Sequence, residues 1–189
     1  MPVFRSQHQA ELLMWLLLHP EREYGVTEMA ARLGVPLSTL HREVNRLDEA
    51  GLVASRIQGR NRLIRANVDH PAAKSLTMLL EITFGPRAVI PEEFAIQGAE
   101  QVVIFGSWAA RYEGQTGPPP NDVDVLIVGK VDRADVYDAA DRANVRLGIE
   151  VNPVVRTAKQ WADPEDALVA QIKQSAHVTV LDVRELAAH

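Results

Sequence analysis

The run from Gln101 to Val128 constrains this chain more than any other stretch. It reads QVVIF, then Gly106-Ser107, then a loop ending in Pro118-Pro119-Pro120-Asn121, then Asp122-Val123-Asp124 inside the apolar run VDVLIV. The order predicts a strand, a tight turn, a short helix, a Pro-rich loop and a second strand. Side chains alternate between the faces of a strand, so Asp122 and Asp124 share one face while Val123 and Val125 point into a core. Adjacent carboxylates repel unless a cation sits between them, and Mg²⁺, a hard ion that takes oxygen ligands, suits that place. Ile149-Glu150-Val151 puts a third acid between apolar residues, able to join the other two if its strand is a neighbour. Gly106-Ser107 closes the first strand and opens a helix. Free backbone N–H groups and the helix dipole favour phosphate there, the glycine permits close approach, and the serine hydroxyl adds a donor. An isolated Asp-x-Asp is common. The weight lies in the set, because acids that interrupt apolar strands are poor candidates for plain solvated surface.

At Gly106, Ser107, Asp122, Asp124 and Glu150 the sequence resembles the polymerase-beta-like nucleotidyltransferase superfamily, in particular its minimal members, over roughly the second half of the chain. The resemblance implies two Mg²⁺ ions, an NTP whose triphosphate rests on Gly106-Ser107, and transfer of a nucleoside monophosphate to a hydroxyl. It makes Asp122 and Asp124 metal ligands shared with the nucleotide phosphates. Glu150 would hold the catalytic metal and help deprotonate the acceptor. Arg111, Lys130 and Arg156 are weaker phosphate candidates, and Trp108 is a candidate base stacker or a packing residue. The chain departs from the family pattern in its long loop with Gly114, Gly117 and three prolines, in Arg111 where a small residue is usual, and in Asn121 where a serine often stands. These departures bear on substrate rather than fold.

The first 70 residues are of a different kind. They carry 9 Lys+Arg and 8 Asp+Glu, net +1, against 11 and 17, net −6, in residues 71–189. Leu52 to Arg65 holds four arginines and no acid, a local basic stripe that hints at nucleic acid more than overall charge does. Gln7 to Leu18 predicts a helix capped by Ser6, with Leu12, Leu13, Leu16 and Leu17 buried and Trp15 flanking, stopped at His19-Pro20. Thr27 is read as the cap of a helix over 28–33 ending at Gly34. Leu37 to Glu49 predicts a third helix. Leu40, Val44 and Leu47 form its core face. Ser38, His41, Arg42 and Asn45 form a polar face, with Thr39 near its start and Arg46 beside it. Two short strands, Val53–Gln58 and Arg62–Val68, flank Gly59-Arg60-Asn61.

Cap, turn glycine, helix face and basic hairpin fall in the order of a winged helix-turn-helix. Ser6 to Val68 resembles that domain of bacterial transcription regulators, on Thr27-Glu28-Met29-Ala30, Leu33-Gly34-Val35, Ser38-Thr39-Leu40 and Leu47-Asp48-Glu49-Ala50-Gly51-Leu52-Val53. The resemblance implies that Leu37–Glu49 enters the major groove and that wing arginines meet phosphate or the minor groove. Arg42 is the candidate for a bidentate guanine contact and Asn45 for adenine. Arg56, Arg60 and Arg62 would add salt-dependent affinity. Winged helices also serve as protein-interaction modules, and Glu43 and Glu49 on the same helix keep that reading open.

Beyond the wing, Ala72 to Phe84 predicts a connector helix that could also pair a dimer. Gly85-Pro86 and Pro91 are read as bracketing a joining segment, with a short helix over 92–98. After Asp122-x-Asp124 the pattern gives a helix to Leu147, the Glu150 strand, a short helix capped by Thr157, a helix over 165–175, a strand over 178–183 and a frayed tail, Arg184–His189. The chain has no cysteine, hence no disulfide or thiolate zinc site, and its six histidines show no ligand spacing. Its longest strongly apolar run, Leu12 to Leu18, falls far short of the about 20 residues of a membrane span. With no signal-peptide layout, a soluble cytoplasmic protein is expected.

The expected fold is therefore α+β: a winged helix-turn-helix (1–70), a connector (71–92) and a small α/β nucleotidyltransferase domain with a mixed sheet (93–189). Residues 93–189 leave little room for an acceptor-binding domain, so the acceptor is expected to be macromolecular, a toxin protein or an RNA. The expected function is a DNA-binding protein with a Mg²⁺-dependent nucleotidyltransferase, by analogy an autoregulated toxin–antitoxin component. The alternative is a repressor or antitoxin whose second domain is non-catalytic and senses nucleotide or dimerises. A drug-modifying transferase is the weakest reading, since no acceptor domain is visible. Double-stranded DNA, an NTP and a second copy of the chain are the expected partners.

Overall fold

The computed structural model describes residues 4–115 and 120–186. Gly117, Pro118 and Pro119 of the Pro-rich loop, and residues 187–189 of the expected tail, lie outside the described residues. The chain divides into two compact units, Met1–Thr83 and Phe84–His189. The boundary falls inside the expected connector.

In the first unit, α1 (Gln7–Leu17) begins where Ser6 Oγ accepts the Gln9 N–H. Every residue from Leu12 to Leu18 is buried, Trp15 included, so the helix is sunk in the core rather than striped along one side. β1 (Tyr24–Gly25) leads directly into α2 (Val26–Arg32). Gly25 is the N-cap rather than Thr27, because Val26 is already helical and buried. α3 (Leu37–Glu49) buries Leu40, Val44 and Leu47, each worth about 1.5–3 kcal/mol of apolar burial. β2 (Val53–Gln58) and β3 (Asn61–Ala66) form the hairpin, and β1 adds to it in the antiparallel order β1-β3-β2. α4 (Ala73–Phe84) follows, with Ala73 and Leu80 buried and Met78 and Ile82 exposed.

The second unit opens with α5 (Pro86–Glu93). This helix lies where the prolines were expected to bracket a joining segment, and the short helix expected over 92–98 is absent. Pro86 occupies the first helical position, where a missing N–H costs nothing and the fixed φ suits the helix. Pro91 inside the helix forfeits one backbone bond, offset by burial of Val89, Ile90 and Phe94. β4 (Ala99–Phe105), α6 (Ser107–Tyr112), β5 (Asp122–Gly129), α7 (Arg133–Leu147), β6 (Glu150–Arg156), α8 (Ala158–Ala162), α9 (Ala167–Gln174), β7 (His177–Asp182) and α10 (Val183–Leu186) follow in order. The start of the expected frayed tail is thus a helical turn.

The sheet is mixed, in the order β6-β5-β4-β7, with β5–β6 parallel and the other pairs antiparallel. Alternation divides its faces. Val102, Ile104, Val123, Val125, Ile127 and Val151 pack with residues of α5 and α7 in one cluster. Val103, Leu126 and Val128 pack with Ile172 of α9 and with Ala158 and Trp161 of α8 in another. α7 is capped by Asp132 and ends on Gly148 in the left-handed conformation. α5 is tied to α7 where Glu93 accepts from Arg142 (2.8 Å) and Arg146 (2.6 Å). Among the described residues, no helix is long and apolar enough to cross a membrane.

Candidate functional site

The second apolar cluster covers only part of its sheet face. Asp122 and Asp124 precede Leu126 and Val128 on β5, and Glu150 and Asn152 precede Val154 on β6, all at even positions and so on the same face. The parallel register sets Asp122 opposite Glu150 and Asp124 opposite Asn152. The starts of β5 and β6 thus present a two-by-two array of three acids and one amide, beyond the residues that α8 and α9 cover. Asn152 Nδ2 donates to Asp122 Oδ2 at 3.0 Å.

Gly106 ends β4 beside this array, since Phe105 pairs with Asp124. Its φ of 73° lies in the left-handed region, and a Cβ built there would stand 2.6 Å from Asp124 Oδ2. Glycine is therefore needed twice, for the turn and for the carboxylate against it. Ser107, exposed, is the first residue of α6. Burial, then the neighbouring charge of Asp122, push the Asp124 carboxyl above its ordinary range, against the opposing hydrogen bond from Asn152.

As a metal site the array fits in part. Asp122 and Asp124 offer the oxygen donors a hard divalent cation takes. Glu150 is in register with them but exposed, and among the described residues no three His, Cys, Asp or Glu side chains group closely enough to hold an ion. The expected three-acid cluster is therefore two aspartates on one strand plus a neighbouring glutamate, all on the same face.

Several expected phosphate or base contacts fall elsewhere. Lys130 follows the far end of β5, six residues beyond Asp124, on the order of 20 Å along an extended strand. Arg156 pairs with Val128 at that same end, and its guanidinium is held by Asp166 at 2.8 Å. Trp108 is buried, its ring centroid 5.9 Å from that of Tyr112, so it packs the core instead of offering a stacking face. Arg111 lies on α6, close in sequence to the Gly106 turn and half-buried.

In the first unit, α3 exposes Ser38, Arg42, Asn45 and Arg46, with Thr39 and His41 half-buried beside them. Arg60 is exposed at the hairpin turn. The other basic candidates are engaged within the chain. Arg46 reaches Glu43 at 3.2 Å, and Arg56 is clamped by Glu23 through Nε at 2.9 Å and through its Nη2. Arg62, expected to contact phosphate, turns inward: it donates to Asn45 Oδ1, to Asp48 Oδ2 at 2.9 Å and to Ser55 Oγ at 3.1 Å. Ser55 Oγ in turn donates to Asp48 at 2.6 Å. This group fixes the wing to α3 and redefines what Asn45 can present.

Two participants went unread in the sequence. Asn152 stands two residues after Glu150, so strand alternation alone could have placed it on the acidic face. Glu23 offers no such signal, because it meets Arg56 only once β1 joins the wing.

Residues 10–56, from within α1 into β2, match the family model described as the IclR helix-turn-helix domain. No curated protein matches the chain. Among solved structures, reduced HlyU from Vibrio cholerae is 24% identical over 40% of this chain and 75% of its own, with a TM-score of 0.35. ZitR from Lactococcus lactis is 21% identical over 50% and 66%, with a TM-score of 0.36. TrmBL2, described as an archaeal chromatin protein, is 15% identical over 89% and 72%, with a TM-score of 0.29. The segment from residue 10 to residue 56 carries an IclR-type helix-turn-helix domain.

Proposed function

We propose that this protein is a DNA-binding transcription regulator whose second unit holds a nucleoside triphosphate as a signal. The match of residues 10–56 to a helix-turn-helix domain carries the DNA reading, and the exposed polar row of α3 supplies its chemistry. On this reading Ser38, Thr39, His41 and Arg42, near the start of α3, face base edges, and Arg60 at the wing turn meets the backbone. The nucleotide part rests on the Gly106–Ser107 turn beside the Asp122/Asp124 face. The test is a mobility shift on DNA from the protein's own promoter at low salt, with and without each NTP. Binding that Arg42→Ala weakens at least tenfold, and that a nucleotide alters, is the expected result. No shift on any promoter fragment at low salt would remove the DNA reading.

A second reading, catalytic nucleotidyl transfer, is favoured by one observation: Asp122, Asp124 and Glu150 share a sheet face in register. Here Asp122 and Asp124 would hold Mg²⁺, which supplies charge neutralisation for the phosphates. Asn152 would orient Asp122, the Gly106 and Ser107 amides would face the phosphates, and Glu150 would accept the acceptor's proton. Its test is calorimetric binding of each NTP with Mg²⁺ to the wild type and to Asp122→Ala/Asp124→Ala, followed by pyrophosphate release with macromolecular acceptors, a toxin protein or RNA. Binding that needs neither metal nor acids argues against it.

A further inference from the structure

We infer that Arg62 is a positioning residue that restricts Asn45 to donor-only recognition, so that Asn45 selects guanine rather than adenine. The inference rests on the DNA-binding reading above. An asparagine that reads adenine uses both ends of its amide, Oδ1 accepting from N6–H and Nδ2 donating to N7. A guanidinium carries donors and no acceptor. Whatever faces Arg62 must therefore be the amide oxygen, and the Arg62 Nη1 bond takes one of the two lone pairs of Asn45 Oδ1 and holds that oxygen to the wing. The same guanidinium is anchored on its other side by Asp48 at 2.9 Å and Ser55 at 3.1 Å. Arg62 is shielded, its side chain 19% exposed, and it joins β3 to α3, so the restraint is built into the fold. Asn45 is left presenting Nδ2 on the exposed face of α3. Guanine meets that donor with two adjacent acceptors, O6 and N7. Adenine offers N7 but also sets an N6–H₂ against an amide whose oxygen is held by Arg62.

The experiment is selection of binding sites from random duplex DNA by the full chain at low salt, for the wild type and three variants. The wild type should enrich guanine at a position whose preference disappears in Asn45→Ala. Arg62→Met frees the oxygen, and the same position should move toward adenine by about fivefold or more, the lower end of what one base-edge pair discriminates. A variant that merely loosened the wing would lower affinity without exchanging one base for the other. Asn45→Asp keeps Arg62 and serves if Arg62→Met folds poorly. One carboxylate oxygen stays on Arg62 and the other can only accept, so cytosine, which donates from N4, should replace guanine. The inference is overturned by adenine at the Asn45-dependent position of the wild type, by an unchanged base in Arg62→Met or Asn45→Asp, or by indifference of every position to Asn45→Ala. If the wild type enriches no sequence, the DNA-binding reading fails, and the inference with it.

Discussion

Replacing Gly106 with alanine probes the contact on which the carboxylate face depends. Two costs add. At φ 73° and ψ −143°, a conformation open essentially to glycine alone, an L-residue carries backbone strain of about 1–3 kcal/mol. The new Cβ would also stand 2.6 Å from Asp124 Oδ2, so the carboxylate must move or the turn must open, an overpacking cost of about 1–3 kcal/mol. The parts separate in a double-mutant cycle. Asp124→Ala removes the atom that the Cβ strikes but leaves φ unchanged, so Gly106→Ala should cost about 1–3 kcal/mol less in that background. The assay is urea unfolding of the full chain by circular dichroism. Hydrogen exchange of β4 and β5 amides would assign the transition to the second unit. If Gly106→Ala unfolds with the wild type, the turn is not strained as described. An equal cost with and without Asp124 would show that the contact with this carboxylate is not the cause.

Further expectations concern charge. The Asp124 carboxyl is held above its ordinary range by burial and by Asp122, so its charged form is disfavoured in the fold. Its contribution is full below the ordinary carboxylate value and is lost as pH rises through the raised one. Asp124→Asn should therefore stabilise the second unit at neutral pH and reduce its gain in stability on mild acidification, both read from urea midpoints across pH. Glu93 has the opposite sign. Burial alone would raise its carboxyl, but hydrogen bonds and charge from Arg146 and Arg142 outweigh that and hold it low. Its stabilisation is present above the ordinary glutamate value and lost as pH falls through the depressed one. Glu93→Gln should destabilise the second unit at neutral pH by about 1–3 kcal/mol and narrow its difference from the wild type in acid, by thermal melts. On DNA, Arg60→Ala should reduce the slope of log affinity against log salt by about 1, while Arg56→Ala, already paired with Glu23, should change it less.

What could be read in advance follows the range over which each signal acts. The bounds of α3 were legible because the Leu40–Val44–Leu47 spacing is a local periodicity, and Asp122 and Asp124 shared a face because alternation is local as well. α5 was missed because Pro86 and Pro91 read as breakers, and only the burial of Val89, Ile90 and Phe94 shows the first as a helix starter and the second as tolerated. Lys130 looked close to the acids in sequence, but an extended strand carries it away from them.

By itself, then, the sequence determined the helix-turn-helix with its hairpin and the strand-borne acids, since each follows from caps, turns and periodicities that neighbouring residues impose. Tertiary structure alone decided three other matters. The β5–β6 register put Asp122 against Glu150 and brought Asn152 to the aspartates. The close approach of β4 made Gly106 the wall against Asp124. The packing of the wing on α3 turned Arg62 from a surface cation into the residue that holds Asn45. Register and close approach depend on chain segments that meet only after folding, and no spacing within either segment encodes where the other will lie.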